Sequence, residues 1–260
     1  MLESNMNSLQ RHLMSFFGSF SLVALAMASG AVAGAEADVA AALAHPDRPA
    51  EEAADDERRK PAEVLAFAGL ETGMAVLELE AGGGYYTEIL SRAVGSDGSV
   101  IMQHPPGLMG FVGDGIDIRT ADDRLANVRV SITNFDELEA ADESIDMVTW
   151  ILGPHELGFA PDGNSLGDIA GSFSEIARVL KPGGVFLAND HIAPDGSGWD
   201  AGDTLHRIEE SLVTQMAEEA GLSVADSSDV LKNPDDPLTE GVFSPSIRGQ
   251  TSQFTVLYRK

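Results

Sequence analysis

The chain has 260 residues, 43% hydrophobic and 22% charged, which is a globular composition and neither a disordered nor a fibrous one. It has no Cys, so disulfides, thiol nucleophiles, Cys-ligated zinc and iron–sulfur clusters are all excluded. Sixteen Lys and Arg against 42 Asp and Glu leave a net charge of −26, and a surface this acidic repels phosphate backbones and anionic lipid, which disfavours a nucleic-acid partner. Lys60, Lys181, Lys232 and Lys260 are the only lysines, a pattern that suits a saline habitat as well as an ordinary solvated acidic surface.

Residues 1–37 read as an address. Arg11 and His12 precede an apolar run from Leu13 to Ala33. Small residues then offer A-x-A cleavage sites at Ala31–Ala33, Ala33–Ala35 and Ala35–Ala37. A basic start, an apolar stretch and A-x-A predict a secretory signal peptide, and Ser and Gly within the run favour cleavage over retention as a membrane span. No Cys follows that could carry a lipid, so the mature chain is expected in the periplasm without a stable membrane anchor. Residues 38–60 read as a polar lead-in or short helix.

The remaining chain, 61–260, reads as one domain. Pro61 opens a helix that Gly69 and Gly73 close. AVLELE (75–80) is a strand running into Gly82-Gly83-Gly84, and Tyr85 to Val94 is a helix with Ile89, Leu90 and Ala93 on one face. Strands follow at 99–103, 127–132 and 144–152, with an unassigned connection over 104–124. A helix over 165–180 stops at Lys181-Pro182-Gly183-Gly184 and feeds a strand at 185–190. An amphipathic helix spans Leu205 to Ala220, and strands at 222–228 and 253–259 end the chain. Alternation of strands and helices predicts an α/β fold with a mostly parallel sheet and helices on both faces. The last two strands have no helix between them and can pair antiparallel.

Two groups of residues carry chemistry. The first is Glu78 with Gly82, Gly83 and Gly84. Glycine lets backbone approach a ligand closely, and free N–H groups at a helix start favour electronegative ligand atoms. A tight turn with no ligand explains the same residues. A side chain at Gly84 is expected to intrude where such a ligand approaches. A nicotinamide enzyme is disfavoured, because the G-x-G-x-x-G spacing is absent and Gln103 and His104 stand where a carboxylate would end the second strand. The second group is polar: His155-Glu156 follows the fourth strand, Asp190-His191 ends the fifth, and His206-Arg207 starts the next helix, where an anionic group is favoured. Parallel strands bring their carboxyl ends to one edge, so these residues are expected to converge there. They can supply a general base, a substrate-carboxylate anchor in Arg207, or metal ligands; no set of metal ligands is assigned. Helix capping by Asp190 and ordinary hydrogen-bonded histidines are the plain alternatives.

The segments VLELEAGGGYYTEIL (76–90), SIDMVTWIL (144–152) and ARVLKPGGVFLANDH (177–191) resemble the class I S-adenosylmethionine-dependent methyltransferases. Asp190-His191, His206-Arg207-Ile208, Asn233-Pro234-Asp235 and Arg248-Gly249 through Gln253-Phe254 resemble a group of exported bacterial members. The resemblance covers residues 60–260. It implies a Rossmann-like seven-stranded sheet with an antiparallel last strand, and S-adenosylmethionine as cofactor. It further implies cofactor contacts from Glu78, Gly82, Gly83, Gly84 and Gln103, with Phe135 and Asp136 near the adenine. Glu80 and Ala81 depart from the usual Gly-x that opens the loop. The function it implies is methyl transfer to a small-molecule substrate, with His155, Asp190, His191, His206 and Arg207 as candidate catalytic residues. A binding module that keeps the fold without methyl transfer is the second reading, because the cofactor is made in the cytoplasm and export would separate the two.

Overall fold

The computed structural model describes residues 36–260, and the leader expected at the start of the chain falls on residues outside them except for its last two. Among the described residues no helix is long and apolar enough to cross a membrane. The elements are α1 (Val39–Leu43), α2 (Ala53–Arg59), α3 (Pro61–Ala68), β1 (Ala75–Leu79), α4 (Tyr85–Val94), β2 (Ser99–His104), α5 (Met109–Val112), α6 (Gly115–Thr120), β3 (Val128–Ile132), β4 (Ile145–Ile151), α7 (Ile169–Val179), β5 (Leu180–His191), α8 (Ala201–Leu205), α9 (Glu210–Glu219), β6 (Ser223–Ser228) and β7 (Gln253–Arg259).

The strands form one sheet in the order β3-β2-β1-β4-β5-β7-β6. β1 pairs in parallel with β2 and β4, and β4 with β5. β7 lies antiparallel between β5 and β6. This is the seven-stranded α/β sheet expected from the sequence. Both faces are covered, so successive residues of one strand enter opposite cores. Leu77, Leu79, Val148, Trp150 and Phe186 pack with α7 and α9 on one side, and Val76, Met147, Val185 and Leu187 pack with α1, α3 and α4 on the other. A strand buried twice has no polar alternation, which is why β4 is apolar through most of its length.

Three local departures from the sequence reading have physical causes. The helix expected over 165–180 begins at Ile169, because the Asp168 carboxylate accepts the Gly171 N–H at 2.7 Å and caps it there. β5 reaches back to Leu180 through the Lys-Pro-Gly-Gly stretch, with Gly183 at φ +82° and a shift in its register on β4. The helix expected over 205–220 is broken. α8 ends at Leu205, His206 takes a left-handed φ of 53°, and α9 starts only at Glu210.

The lead-in is folded. Val39 and Ala42 are buried in the core that α4 shares, and Arg48 pairs with Asp56. Asp56 in turn accepts the Tyr85 hydroxyl at 2.6 Å. Glu88 on α4 is fully buried, yet Arg124, Arg92 and Arg119 all pair with it and keep its carboxyl below the usual range against the cost of burial. Arg119 also pairs with Glu52, which ties the lead-in to α4 through α6.

Candidate functional site

The order of the sheet reverses between β1 and β4, and ligands of open α/β sheets bind at the carboxyl ends of strands flanking such a point. A cleft of about 190 Å³ lies there, bounded by Arg59, Glu78, Gly82, Gly83, Tyr86 and Leu152. Pockets for drug-sized molecules run about 300–1,000 Å³, so the cleft as folded takes part of such a molecule. A larger hollow of about 540 Å³ by Gly95, Arg124 and Asn127 lies at the far end of α4, away from these strand ends.

The glycine turn divides into two parts. A Cβ on Gly82 or Gly83 would meet nothing within 4 Å, so their faces are open to a ligand. Gly84 caps α4 with φ +81°, and its Cβ would lie 2.6 Å from Arg119 Nε. The requirement for glycine at 84 is therefore internal to the fold, and the expectation that a side chain there would reach a ligand is corrected. Gly115 packs its backbone against the other side of Gly83. Glu78 is buried and accepts the Thr87 hydroxyl at 2.5 Å. Arg59 lies over the Tyr85 ring, and its Nε has no hydrogen-bond partner among the described residues.

The other residues expected at the cofactor are committed elsewhere. Gln103 is 1% exposed; its Oε1 accepts the Glu80 N–H at 3.0 Å and its Nε2 donates to the Thr133 carbonyl at 2.6 Å. It braces the turn and offers no free amide to a ribose. His104 beside it is equally buried, and burial alone pushes its imidazole down to about 4. Phe135 is fully buried with its ring 4.5 Å from that of Trp150, so it packs the core and stacks no adenine. Asp136 accepts the Asp168 N–H at 2.8 Å and so steadies the start of α7.

The histidines converge. The His155 ring lies 5.2 Å from His206 and 6.4 Å from His191, centroid to centroid. Asp190, fully buried at the end of β5, organises them. Its carboxylate accepts the His155 N–H at 2.8 Å, faces His155 Nδ1 at 2.9 Å, and accepts the His191 N–H at 2.7 Å. Asp190 thus positions His155 rather than facing a substrate. Burial works against the charged form of His155, but Asp190 and Glu156 outweigh it and raise the imidazole well above its usual value. His191 shares a hydrogen bond of 2.7 Å with Thr251, and burial lowers it to about 4. Burial also lowers His206, the neighbouring His155 adding to the effect.

Arg207 does not join them. It is fully buried and bidentate to Asp236 at 2.9 and 3.1 Å, and it donates to the Glu240 and Ile192 carbonyls. No face of the guanidinium remains for a substrate carboxylate. Its place between α8 and α9 also removes the helix-start setting expected for His206 and Arg207.

Glu80 and Arg59 were not among the expected site residues. Glu80 stands where the family has glycine and keeps a glycine-like φ of 50°; Leu152 and His206 nearby also have positive φ, at 60° and 53°. Strained backbone of this kind costs of order 1–3 kcal/mol per residue and gathers at functional sites. The departure at Glu80 was readable in the sequence, whereas Arg59 lies in the lead-in, where no motif marks it.

Glu78 yields a test of the site's electrostatics. Burial raises its carboxyl from 4.5 to about 8, with Thr87 opposing. In the folded chain it stays protonated while the unfolded chain ionises, so its contribution is fully present below pH 4.5 and is lost as pH rises to about 8. Wild-type stability relative to Glu78→Gln should fall by about 1.4 kcal/mol per pH unit across that window and level off above it. Urea unfolding of both proteins at pH 5, 6.5 and 8 measures the slope, and parallel curves would show Glu78 ionised in the native state.

The residues at the turn fit the amino-acid end of S-adenosylmethionine. They combine a carboxyl, a guanidinium that Asp55 holds in place through Nε at 3.6 Å, and an open glycine cradle on the sheet's carboxyl edge. Residues 77–188 match a methyltransferase-domain family model. The fold is similar to that of an S-adenosylmethionine-dependent methyltransferase from Aquifex aeolicus, at 21% identity and a TM-score of 0.57 over 84% of this chain and 96% of that one. It is also similar to one from Mesorhizobium loti, at 13% identity and a TM-score of 0.54 over 78% and 98%. An arsenic(III) methyltransferase from Chlamydomonas reinhardtii aligns at 21% identity and a TM-score of 0.50 over 85% and 72%. Comparison with curated protein sequences gave no match. The sheet order and the glycine turn after β1 give the chain the fold of these S-adenosylmethionine-dependent methyltransferases, and its residues 77–188 match the methyltransferase-domain family.

Proposed function

We propose that the chain is an exported methyltransferase that uses S-adenosylmethionine to methylate a small acceptor lying against His155, His191 and His206. The observation that carries this reading is the position of Glu80. Its backbone begins the glycine turn, while its carboxyl accepts the Trp150 indole N–H at 3.4 Å and lies close under Gly153, two residues before His155. The cofactor cleft and the histidine wall therefore meet across one side chain.

When bound, S-adenosylmethionine supplies an electrophilic methyl group on a sulfonium centre. Arg59 would hold its carboxylate and Glu78 would lie beside its amino-acid end. Gly82 and Gly83 let the backbone come close, as a side chain would not. The acceptor is held by the wall that Asp190 stiffens through His155, with Phe159 and Phe243 flanking His206 at 5.6 and 5.0 Å. Placing a nucleophile in line with a methyl group is mostly a matter of orientation, and two rigid walls on one sheet edge supply it. The predicted leader supports export, and a secreted chain beginning near Gly34, Glu36 or Asp38 is the expected mature product.

Calorimetry with S-adenosylhomocysteine tests the site. The wild type is expected to bind. Gly83→Val fills the open cradle and should lose binding at least tenfold, about 1.4 kcal/mol, while its unfolding temperature stays unchanged. Arg59→Gln removes a charge-assisted hydrogen bond, about 1.5–3 kcal/mol, or roughly ten- to a hundredfold. A wild type that binds nothing at millimolar ligand would overturn the assignment.

A further inference from the structure

The histidine wall contains a set of atoms that the methyltransferase reading does not use. One ring nitrogen each of His155 and His206 and a Glu156 carboxylate oxygen lie within 4.8 Å of one another. We propose that His155, Glu156 and His206 bind a divalent first-row transition metal of the zinc type.

Four observations support this. His155 and Glu156 side chains are 5% and 9% exposed, and His155 Nε2 and Glu156 Oε2 have no hydrogen-bond partner among the described residues. Buried polar atoms left unpaired are costly, so two of them aimed into one spot call for an occupant. His155 Nε2 lies 3.4 Å from Glu156 Oε1 without the alignment of a hydrogen bond. Two donors each about 2.0–2.1 Å from one tetrahedral ion are spaced about 3.4 Å apart. Asp190 holds His155 from behind at Nδ1, which leaves Nε2 for the cluster. A carboxylate behind an imidazole ligand is the usual outer support of a bound metal. Finally, Glu156 and Asp190 lie against His155, and Arg207, a cationic side chain near His191, is spent on Asp236. A proton on Nε2 is the rival occupant, but it leaves Glu156 Oε2 unpaired and gives His206 no part.

Two imidazoles and one carboxylate form a donor set that keeps a coordination position open. In that position an acceptor hydroxyl or carboxylate would be polarised and fixed against the wall. This role rests on the methyltransferase reading; metal binding does not, and its test uses no cofactor.

The full chain is stripped with chelator and titrated with Co²⁺, whose visible absorption reports coordination by nitrogen and oxygen. One saturable equivalent, displaced by Zn²⁺, is expected. His206→Gln and Glu156→Gln should each weaken binding at least tenfold, and Asp190→Asn by ten- to a hundredfold. His45→Gln, at a partly exposed histidine beside Gly95 and Arg124, should bind as the wild type does. His206 is only partly buried, so His206→Gln is expected to melt normally without metal and to lose the rise in melting temperature that Zn²⁺ gives the wild type. No saturable band, or equal binding by wild type, His206→Gln and Glu156→Gln, would overturn the site.

Discussion

Replacing Arg207 with methionine should destabilise the chain by about 3–5 kcal/mol, the cost of leaving one member of a buried ion pair without the other. Asp236 is the member left behind. Its carboxylate is fully buried, and against that burial Arg207 and the Leu238 and Ser252 N–H groups hold it below the usual range. The pair also ties the end of β5, through the Ile192 carbonyl, to the loop that leads back to β7. The same linkage sets the pH response. Asp236 contributes fully above its unfolded value near 3.8 and is lost as pH falls below that, so Arg207→Met should flatten the acid limb of the stability profile. The double variant Arg207→Met, Asp236→Leu should recover much of the loss, since an apolar pair replaces a buried ionic one at little cost. Urea unfolding measures all three. Unchanged stability with a raised KM for an acidic acceptor would instead return Arg207 to the substrate site.

Gly84→Ala should cost about 2–5 kcal/mol, although it adds a single methyl group. The residue is left-handed, a conformation that costs an L-residue about 1–2 kcal/mol. The new methyl would also sit 2.6 Å from Arg119 Nε and 2.7 Å from its Cγ. Arg119 cannot yield cheaply, because it is 1% exposed and holds Glu88 and Glu52 together. Overpacking of this kind adds about 1–3 kcal/mol. The contrast with Gly83→Val is the informative part: two adjacent glycines, one required by the fold and one by the ligand. Thermal unfolding separates them, and a Gly84→Ala protein as stable as the wild type would mean that the α6 segment does not pack on the turn.

The class of fold was readable in the chain because it rests on local patterns. Apolar runs of strand length alternate with helices bearing one apolar face, and glycine marks the turns. The limits of α4 and β7 coincide with the expected ones for that reason. Misreadings occurred where a distant group decides. Helix 205–220 has a continuous amphipathic pattern, yet it breaks at His206, beside an Arg207 anchored to Asp236 and the Ile192 and Glu240 carbonyls. The lead-in looked uninformative because its partners, Tyr85 for Asp56 and Arg119 for Glu52, lie 29 and 67 residues downstream along the chain.

At the site, the sequence by itself determined which residues stand at the strand ends, since a parallel sheet sends every carboxyl end to one edge. That was enough to bring Glu78, the glycine turn, His155, Asp190, His191 and His206 to that edge. It did not determine where each side chain finds its partner. Gln103 turned inward to the Glu80 N–H, Phe135 entered the core against Trp150, and Arg207 closed on Asp236. The physical reason is the same in each case. A buried polar group takes the nearest partner that removes its desolvation cost, and an aromatic ring takes the face that removes most water, and both are settled by packing between segments far apart in the chain. Tertiary structure alone therefore decided that Asp190 stiffens the wall through His155, and that the arginine beside it belongs to the scaffold.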